Sequence, residues 1–525
     1  MSENTSSKSF MHGAIILLIA NALVKVIGAV FKIPLTYILG EEGMGYFSTS
    51  YQMYTWMFII ATAGIPVAIS KMVSESLAVS DEKRAKTIYS VSMNFMLVLG
   101  LVLSLMLFLF ADFFASNLLK NPGASLGIKA ISPAVLFVSL MSVYRGYFQG
   151  YQNMVPTAIS EVGEAIGKLV IGFICAYILS KKSMAYASAG AVFGVSMGAF
   201  IGFLALGIIK KKKTSKPLNN SEISRKGILK RLVKIAIPIT IGASVFSLTS
   251  LIDMAMIMRR LQEGGFSVGD ANRLWGMYSG YAFPLFNLPP TLINAITVSI
   301  VPSIASSFIK KDLATASDTC VKSIKITFLF SLACSIGMSM LSKEILSLVY
   351  NNTNATSSLS ILSLSIVFVS LVLVTNASLQ AIGKTYIPVK NMIIGGVIKI
   401  ITNYYLVANP KINIDGAPIG TLLCYVVIFV LNIISIKKSL GAKMPLLDLW
   451  IKPIISVVVM MACIIVSKKI FTPSSRLLSA LIPISVGMLS YLASLFIFKA
   501  IKEDDVKMLP KGEKMAKLLK RFKLI

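Results

Sequence analysis

Charge is scarce in this chain, and acidic charge scarcest of all. Only 14% of the 525 residues are charged, with 22 Asp and Glu against 51 Lys and Arg. A soluble fold carries roughly 25% charged residues to cover its surface. Histidine is nearly missing: the single one, His12, precedes the first apolar run. Neither a His-based metal cluster nor a Ser-His triad can be built from it. The five cysteines, Cys175, Cys320, Cys334, Cys424 and Cys463, form no C-x-x-C pair and lie mostly in apolar runs. They are expected to pack as small apolar residues, with no disulfide framework and no metal site. A P-loop sequence is lacking, and the polar gaps are too short for a nucleotide-binding domain. No cofactor, metal or covalent chemistry is therefore expected.

What the chain has is hydrophobicity, at 55% of residues. Apolar runs recur from residue 13 to residue 500, and a run of about 20 residues can cross a bilayer. The net charge of +29 would by itself suggest nucleic acid. Its placement in loops between apolar runs is instead the pattern of membrane topology, so no nucleic-acid partner is expected.

The pattern predicts an all-α polytopic membrane protein of about fourteen spans. These are 13–35, 46–69, 88–111, 127–149, 155–180, 185–209, 232–258, 278–304, 321–340, 358–382, 387–408, 415–437, 450–471 and 476–500. The first run contains Lys25 and lacks a small-x-small cleavage site, so it reads as a retained helix. With the N-terminus inside, 33 basic residues fall on the inner side and 12 on the outer. The positive-inside rule then puts both termini in the cytoplasm. The longest basic loop, 210–231, reads as an anchor at the anionic inner leaflet. It divides an N-terminal lobe (1–209) from a C-terminal lobe (232–437), followed by two added helices (438–500) and a basic tail (501–525).

The halves echo each other. Ile65-Pro66 closes the second span and Val301-Pro302 the eighth, an offset of 236. Gln149, Pro156 and Lys168 recur as Gln380, Pro388 and Lys399 at an offset near 231. Duplicated six-helix units in parallel orientation would produce both echoes.

Six basic residues lie inside spans: Lys25, Lys32, Arg145, Lys168, Lys234 and Lys399. Only three acidic residues join them: Glu161, Glu164 and Asp253. Each such charge costs roughly 2.5–3.5 kcal/mol at a helix centre, so it should face a cavity or a partner. Lys234 is close enough to its helix start to snorkel, and Lys32 and Arg145 lie near helix ends. Lys25, Lys168 and Lys399 sit near mid-span, where a polar cavity is the better home. Asn21, Lys25, Gly28 and Lys32 share one helical stripe, as do Arg145, Gln149 and Gln152 if that helix runs on. Glu164 and Lys168 stand in the favourable i,i+4 order and are expected to pair. That would leave Lys25, Lys32, Arg145 and Lys399 as a cationic chamber suited to a multiply charged anion. At the outer side, Arg259 and Arg260 serve either as interfacial anchors or, with Arg273, as a phosphate site. Glu161, Glu164 and Asp253 are candidates for charge pairing or for binding a proton or sodium ion.

The segment Lys25-Val26-Ile27-Gly28, continuing through Phe31-Lys32-Ile33-Pro34-Leu35 to Gly40, resembles the opening of the MurJ/stage V sporulation protein B group. So does Arg145-Gly146-Tyr147-Phe148-Gln149-Gly150. The group lies in the multidrug/oligosaccharidyl-lipid/polysaccharide exporter superfamily. The resemblance implies a fourteen-helix flippase with two pseudo-symmetric lobes around a central cationic cavity. It implies an undecaprenyl-pyrophosphate-linked cargo, typically the peptidoglycan precursor lipid II, and use in peptidoglycan or spore cortex synthesis. Lys25 and Gly28 match the family pattern with Lys in place of Arg, and Lys32 matches the sporulation branch. Lysine offers phosphate a point charge but no bidentate fork. The last two helices would form a groove for the lipid tail. Asp253 is the sodium candidate by helix number, whereas Lys399 places a cation where a sodium site would gather anions.

The expected function is an alternating-access flippase of lipid-linked cell-wall precursors in the bacterial cytoplasmic membrane. Its partners would be membrane lipids and, as candidates, wall-synthesis enzymes. Three alternatives stay open: a flippase for another lipid-linked polysaccharide unit, a cation-coupled multidrug exporter, and a non-transporting scaffold.

Overall fold

The computed structural model describes residues 2–212, 224–442, 445–471, 475–507 and Lys520. Half of the basic loop at 210–231 (213–223) and most of the basic tail at 501–525 lie outside the described residues. Among them the chain is helical throughout, with no strand. A bilayer leaves backbone N–H and C=O groups no water to bond, so each span must close its own hydrogen bonds.

Eleven helical segments are long and apolar enough to cross a membrane. The first, Ile19–Ala78, takes in two expected spans. Helices Leu288–Ile309 and Tyr386–Leu406 correspond to two more. The protein is thus a multi-pass membrane protein, and the expected spans lie largely in helix, with 46–69 broken at Ala63–Gly64.

Two units emerge from the contacts. The first comprises Met1–Gln262 and Phe266–Gly276, the second Glu263–Gly265 and Met277–Ile525. The division falls at 262–277 rather than at the basic loop, because the seventh long helix groups with the first unit. Buried Asn272 explains part of this. Its amide donates to the Glu42 carbonyl at 2.9 Å and accepts from Asn121 at 2.8 Å.

The first unit contains α1 (Ser2–Thr62), α2 (Ile65–Ala78), α3 (Glu82–Leu109), α4 (Ser125–Gly150), α5 (Val155–Leu179), α6 (Met184–Lys212), α7 (Arg225–Glu263) and α8 (Val268–Gly276). His12 lies inside α1, since that helix begins at Ser2 rather than near residue 13. The long α1 is bent at Gly40, whose φ of 57° lies in the left-handed region that glycine enters without steric penalty. Pro66 does not close a helix, as its echo with Pro302 suggested. The chain breaks at Ala63–Gly64, and Pro66 opens α2, where its missing N–H is harmless. Pro302 by contrast sits within its helix, so the two positions differ locally. The second echo keeps its geometry: Gln149 and Gln380 end their helices, and Pro156 and Pro388 open the next.

Helices α5 and α6 pack through glycine. A Cβ placed on Gly194 would lie 2.3 Å from the Gly172 Cα, and one on Gly198 would lie 2.4 Å from the Glu164 carbonyl. Small residues let membrane helices approach closely. The same α6 glycines press on the backbone of Glu164 and Lys168, so α6 backs the charged stretch of α5.

The second unit contains α9 (Leu288–Ile309), α10 (Leu313–Met340), α11 (Thr356–Ala381), α12 (Tyr386–Leu406), α13 (Gly416–Leu440), α14 (Lys452–Ile470), α15 (Arg476–Ile497) and the short α16 (Glu503–Lys507). A buried polar knot ties three of them together. The Asn391 amide on α12 donates to Asn432 on α13, which in turn donates to Thr375 and Asn376 on α11. Lys325 counts among the inner-side basic residues, at the start of the 321–340 span. It is buried in α10 and donates to Asp505 of α16, a partner 180 positions away.

Candidate functional site

The first unit holds a cavity of about 410 Å³ between α1, α4 and α5, with Val195 of α6 at its wall. From α1 come Val24, Ile27, Gly28 and Phe31 ahead of Gly40, and Tyr51, Tyr54, Thr55 and Phe58 beyond it. Arg145 enters from α4, and Glu161, Glu164 and Lys168 from α5. The three α5 residues recur at i, i+3 and i+7, which keeps them on one face.

The pairing differs from the expected one. The Arg145 guanidinium donates through Nε to Ser160 Oγ at 3.1 Å and through Nη2 to Glu164 Oε2 at 3.1 Å. Glu164 is therefore held by Arg145 rather than by Lys168. The Lys168 ammonium lies over two rings instead, 4.6 Å from the Tyr51 centroid and 5.2 Å from that of Phe31. A cation over an aromatic face is attracted by the ring quadrupole, by roughly 0.5–2 kcal/mol. Glu161 Oε2 is shut off from solvent and accepts no hydrogen bond among the described residues.

Two positive and two negative side chains thus line this cavity. It is not the uncompensated cationic chamber that the sequence suggested, because Arg145 is already matched. Lys32 lies near enough to Lys168 for their charges to repel. The stripe Asn21, Lys25, Gly28 and Lys32 is only partly realised. The lining face of α1 is 24, 27, 28 and 31, so Gly28 faces in while Asn21 and Lys25 are exposed elsewhere on the helix. Gln149 is half-buried and absent from the lining. Gln152 is not on its stripe, because α4 ends at Gly150 and Gln152 has a φ of 56°. Asp253 is buried on α7, 8% exposed. Arg259 is exposed, Arg260 half-buried, and Arg273 pairs with Glu41 at 3.5 Å, all within the first unit. Lys399 belongs to the second unit, half-buried on α12 within electrostatic reach of Tyr425. No group of His, Cys, Asp and Glu among the described residues is arranged to hold a metal ion.

The aromatic wall was missed. Phe47, Tyr51, Tyr54 and Phe58 recur at i, i+4, i+7 and i+11 and form one chain of ring contacts on α1. The spacing is visible in the sequence as a stripe, and its Tyr51, together with Phe31, holds the Lys168 charge.

A second cavity, of about 570 Å³, lies in the second unit between α10, α14 and α15. Its walls are almost wholly apolar, with Leu329, Phe330, Ile464, Met488 and Leu492 among them, and Asp505 and Val506 lie at one margin. This is where the resemblance implied a tail groove beside the final helices.

Residues 10–308 match the polysaccharide biosynthesis protein family. The chain belongs to that family. This member is 24% identical to stage V sporulation protein B of Bacillus subtilis (strain 168), over 96% of this chain and 98% of the relative. It is 27% identical to the lipid II flippase MurJ of the same organism, over 83% and 84% of the two chains. Among solved structures it is similar to a lipid II flippase MurJ in an inward closed conformation, at 18% identity and a TM-score of 0.71, covering 92% of this chain and 98% of that one. It is also similar to an inward-facing multidrug resistance MATE family transporter of the MOP superfamily, at 15% identity and a TM-score of 0.65, over 80% and 94%. The polysaccharide biosynthesis family member thus has the all-helical fold of these transporters.

Proposed function

We propose that the protein is a flippase that moves an undecaprenyl-pyrophosphate-linked cell-wall precursor, of the lipid II kind, from the inner to the outer leaflet. The apolar groove beside α14 and α15 carries this proposal. A drug exporter has no need of a long hydrocarbon-lined site, whereas a cargo with a prenyl tail does. The kinship with proteins named lipid II flippase and stage V sporulation protein B supports the same cargo class. In this proposal Lys25, Lys32, Arg145, Lys168 and Lys399 attract the pyrophosphate, and alternating access does the rest. Both termini face the cytoplasm, and an ion gradient or the membrane potential drives the cycle, with Asp253 a candidate sodium or proton ligand. Wall-synthesis enzymes are the partners that would consume the product. The family description favours one second reading, a different lipid-linked polysaccharide unit carried by the same route.

The test is reconstitution into liposomes with fluorescent lipid II and timed exposure of the label at the outer face. Exposure above that of empty liposomes is expected, slowed in Lys25→Ala and Lys399→Ala. Exposure no faster than in empty liposomes ends the lipid II proposal. Activity on another lipid-linked saccharide then selects the second reading.

A further inference from the structure

We propose that Glu161 is a proton-binding site whose occupancy decides whether the first-unit cavity accepts an anion. This deepens the flippase proposal, on which it rests only for the identity of the physiological anion.

The geometry points to Glu161 because every other charge lining the cavity is already engaged. From α4, Arg145 is committed to Ser160 and Glu164. On α5 itself, Lys168 lies over the Tyr51 and Phe31 rings. From α1 come the Tyr51 and Tyr54 phenols, with Lys32 close to Lys168. Helix α6 carries no charged residue between 184 and 209. Glu161 therefore feels Arg145 and Glu164, yet its Oε2 is buried and accepts no hydrogen bond among the described residues. A carboxylate oxygen closed off from water without a donor is strongly disfavoured, and a proton from solution relieves it.

The consequence is electrical. With Glu161 ionised, Arg145 and Lys168 are balanced by Glu161 and Glu164, and the lining is neutral. With Glu161 protonated, the same lining carries one net positive charge. A phosphate or pyrophosphate group entering the cavity then meets an uncancelled cation in a low-dielectric wall, where attraction is strong. By linkage, the anion raises the proton affinity of Glu161 as much as the proton raises the anion's affinity. Protonation and capture are one coupled event, and deprotonation favours release.

The experiment uses the full-length protein in nanodiscs, with inorganic pyrophosphate as the probe. Wild type should bind it about tenfold more tightly at acidic than at alkaline pH, a typical coupling between two sites. Glu161→Gln should lose the acidic preference and keep only the opposite slope that pyrophosphate's own ionisation imposes, tighter at alkaline pH. An infrared carboxylic-acid band that titrates in wild type should vanish in Glu161→Gln and persist in Glu164→Gln. If Glu161→Gln fails to fold, the wild-type and Glu164→Gln spectra still decide: no titrating band in either overturns the proposal. It is also overturned if Glu161→Gln keeps the wild-type pH slope. A pyrophosphate affinity that follows sodium at fixed pH overturns it too, in favour of a metal cation. Should the linkage hold while no lipid-linked pyrophosphate is flipped, the proton site stands and the cargo proposal falls.

Discussion

Arg145 and Glu164 face each other from adjacent helices and meet through one 3.1 Å hydrogen bond. Their side chains are 14% and 22% exposed, so water screens the pair only in part. Arg145→Ala would strand Glu164 beside an already unsatisfied Glu161, at about 1–3 kcal/mol. Arg145→Ala with Glu164→Ala should recover most of that loss. A double-mutant cycle read by denaturant unfolding in detergent checks this, and additive single effects would show the bond to be energetically idle.

The buried pair Lys325–Asp505, with side chains 8% and 6% exposed, anchors α16 to α10 at the margin of the apolar groove. Removing one partner leaves the other uncompensated. Lys325→Ala alone is expected to destabilise by about 3–5 kcal/mol, whereas joint replacement of both residues by apolar ones of similar volume should be close to neutral. Limited proteolysis of the C-terminal segment, run beside thermal unfolding, separates the two cases. Equal sensitivity of single and double variants would contradict the anchoring role.

Packing at Gly172 and Gly194 leaves no room for a side chain. Gly194→Val should force α5 and α6 apart and destabilise the protein by roughly 1–3 kcal/mol. Because α5 carries Glu161, Glu164 and Lys168, pyrophosphate binding should fall along with the melting temperature. Gly242→Ala on α7, where a Cβ would meet nothing within 4 Å and which lines neither cavity, is the control and should leave both unchanged.

One acid-limb effect follows from Asp112, an exposed carboxylate between spans that meets the start of α4. The Lys129 ammonium, aided by the Ser125 hydroxyl, holds the Asp112 carboxyl below its ordinary 3.8. A carboxyl with a folded-state pKa below its unfolded one stabilises above the unfolded value and loses that contribution as pH falls through the folded one. Stability should therefore decline below about pH 4. The decline should be shallower in Asp112→Asn, as followed by unfolding at constant ionic strength.

The spans were legible because hydrophobicity over some 20 residues is a local property that a bilayer enforces. The intramembrane charges were legible as a list, for the same reason: their rarity marks them. Their partners were not. Glu164 had a favourable neighbour in Lys168 by spacing alone, but Arg145 reaches it from another helix and offers a planar fork. Lys325 sat at the edge of its span among the inner-side charges, and its counterion Asp505, 180 positions away, was not readable from spacing. The stripe on α1 was displaced for a similar reason. Which face of a helix is lined depends on what packs against it, and on α1 the face that meets Glu161, Glu164 and Lys168 is 24, 27, 28 and 31.

Both long walls of the first-unit cavity belong to a single helix, interrupted at Gly40. Residues 24–31 lie on one arm and 51–58 on the other. A rotation at that one φ/ψ pair would swing one arm against the other, widening or pinching the space around Lys168. Only a residue without a Cβ can pivot there freely, so the chain carries its hinge and its binding wall in the same continuous strand of backbone.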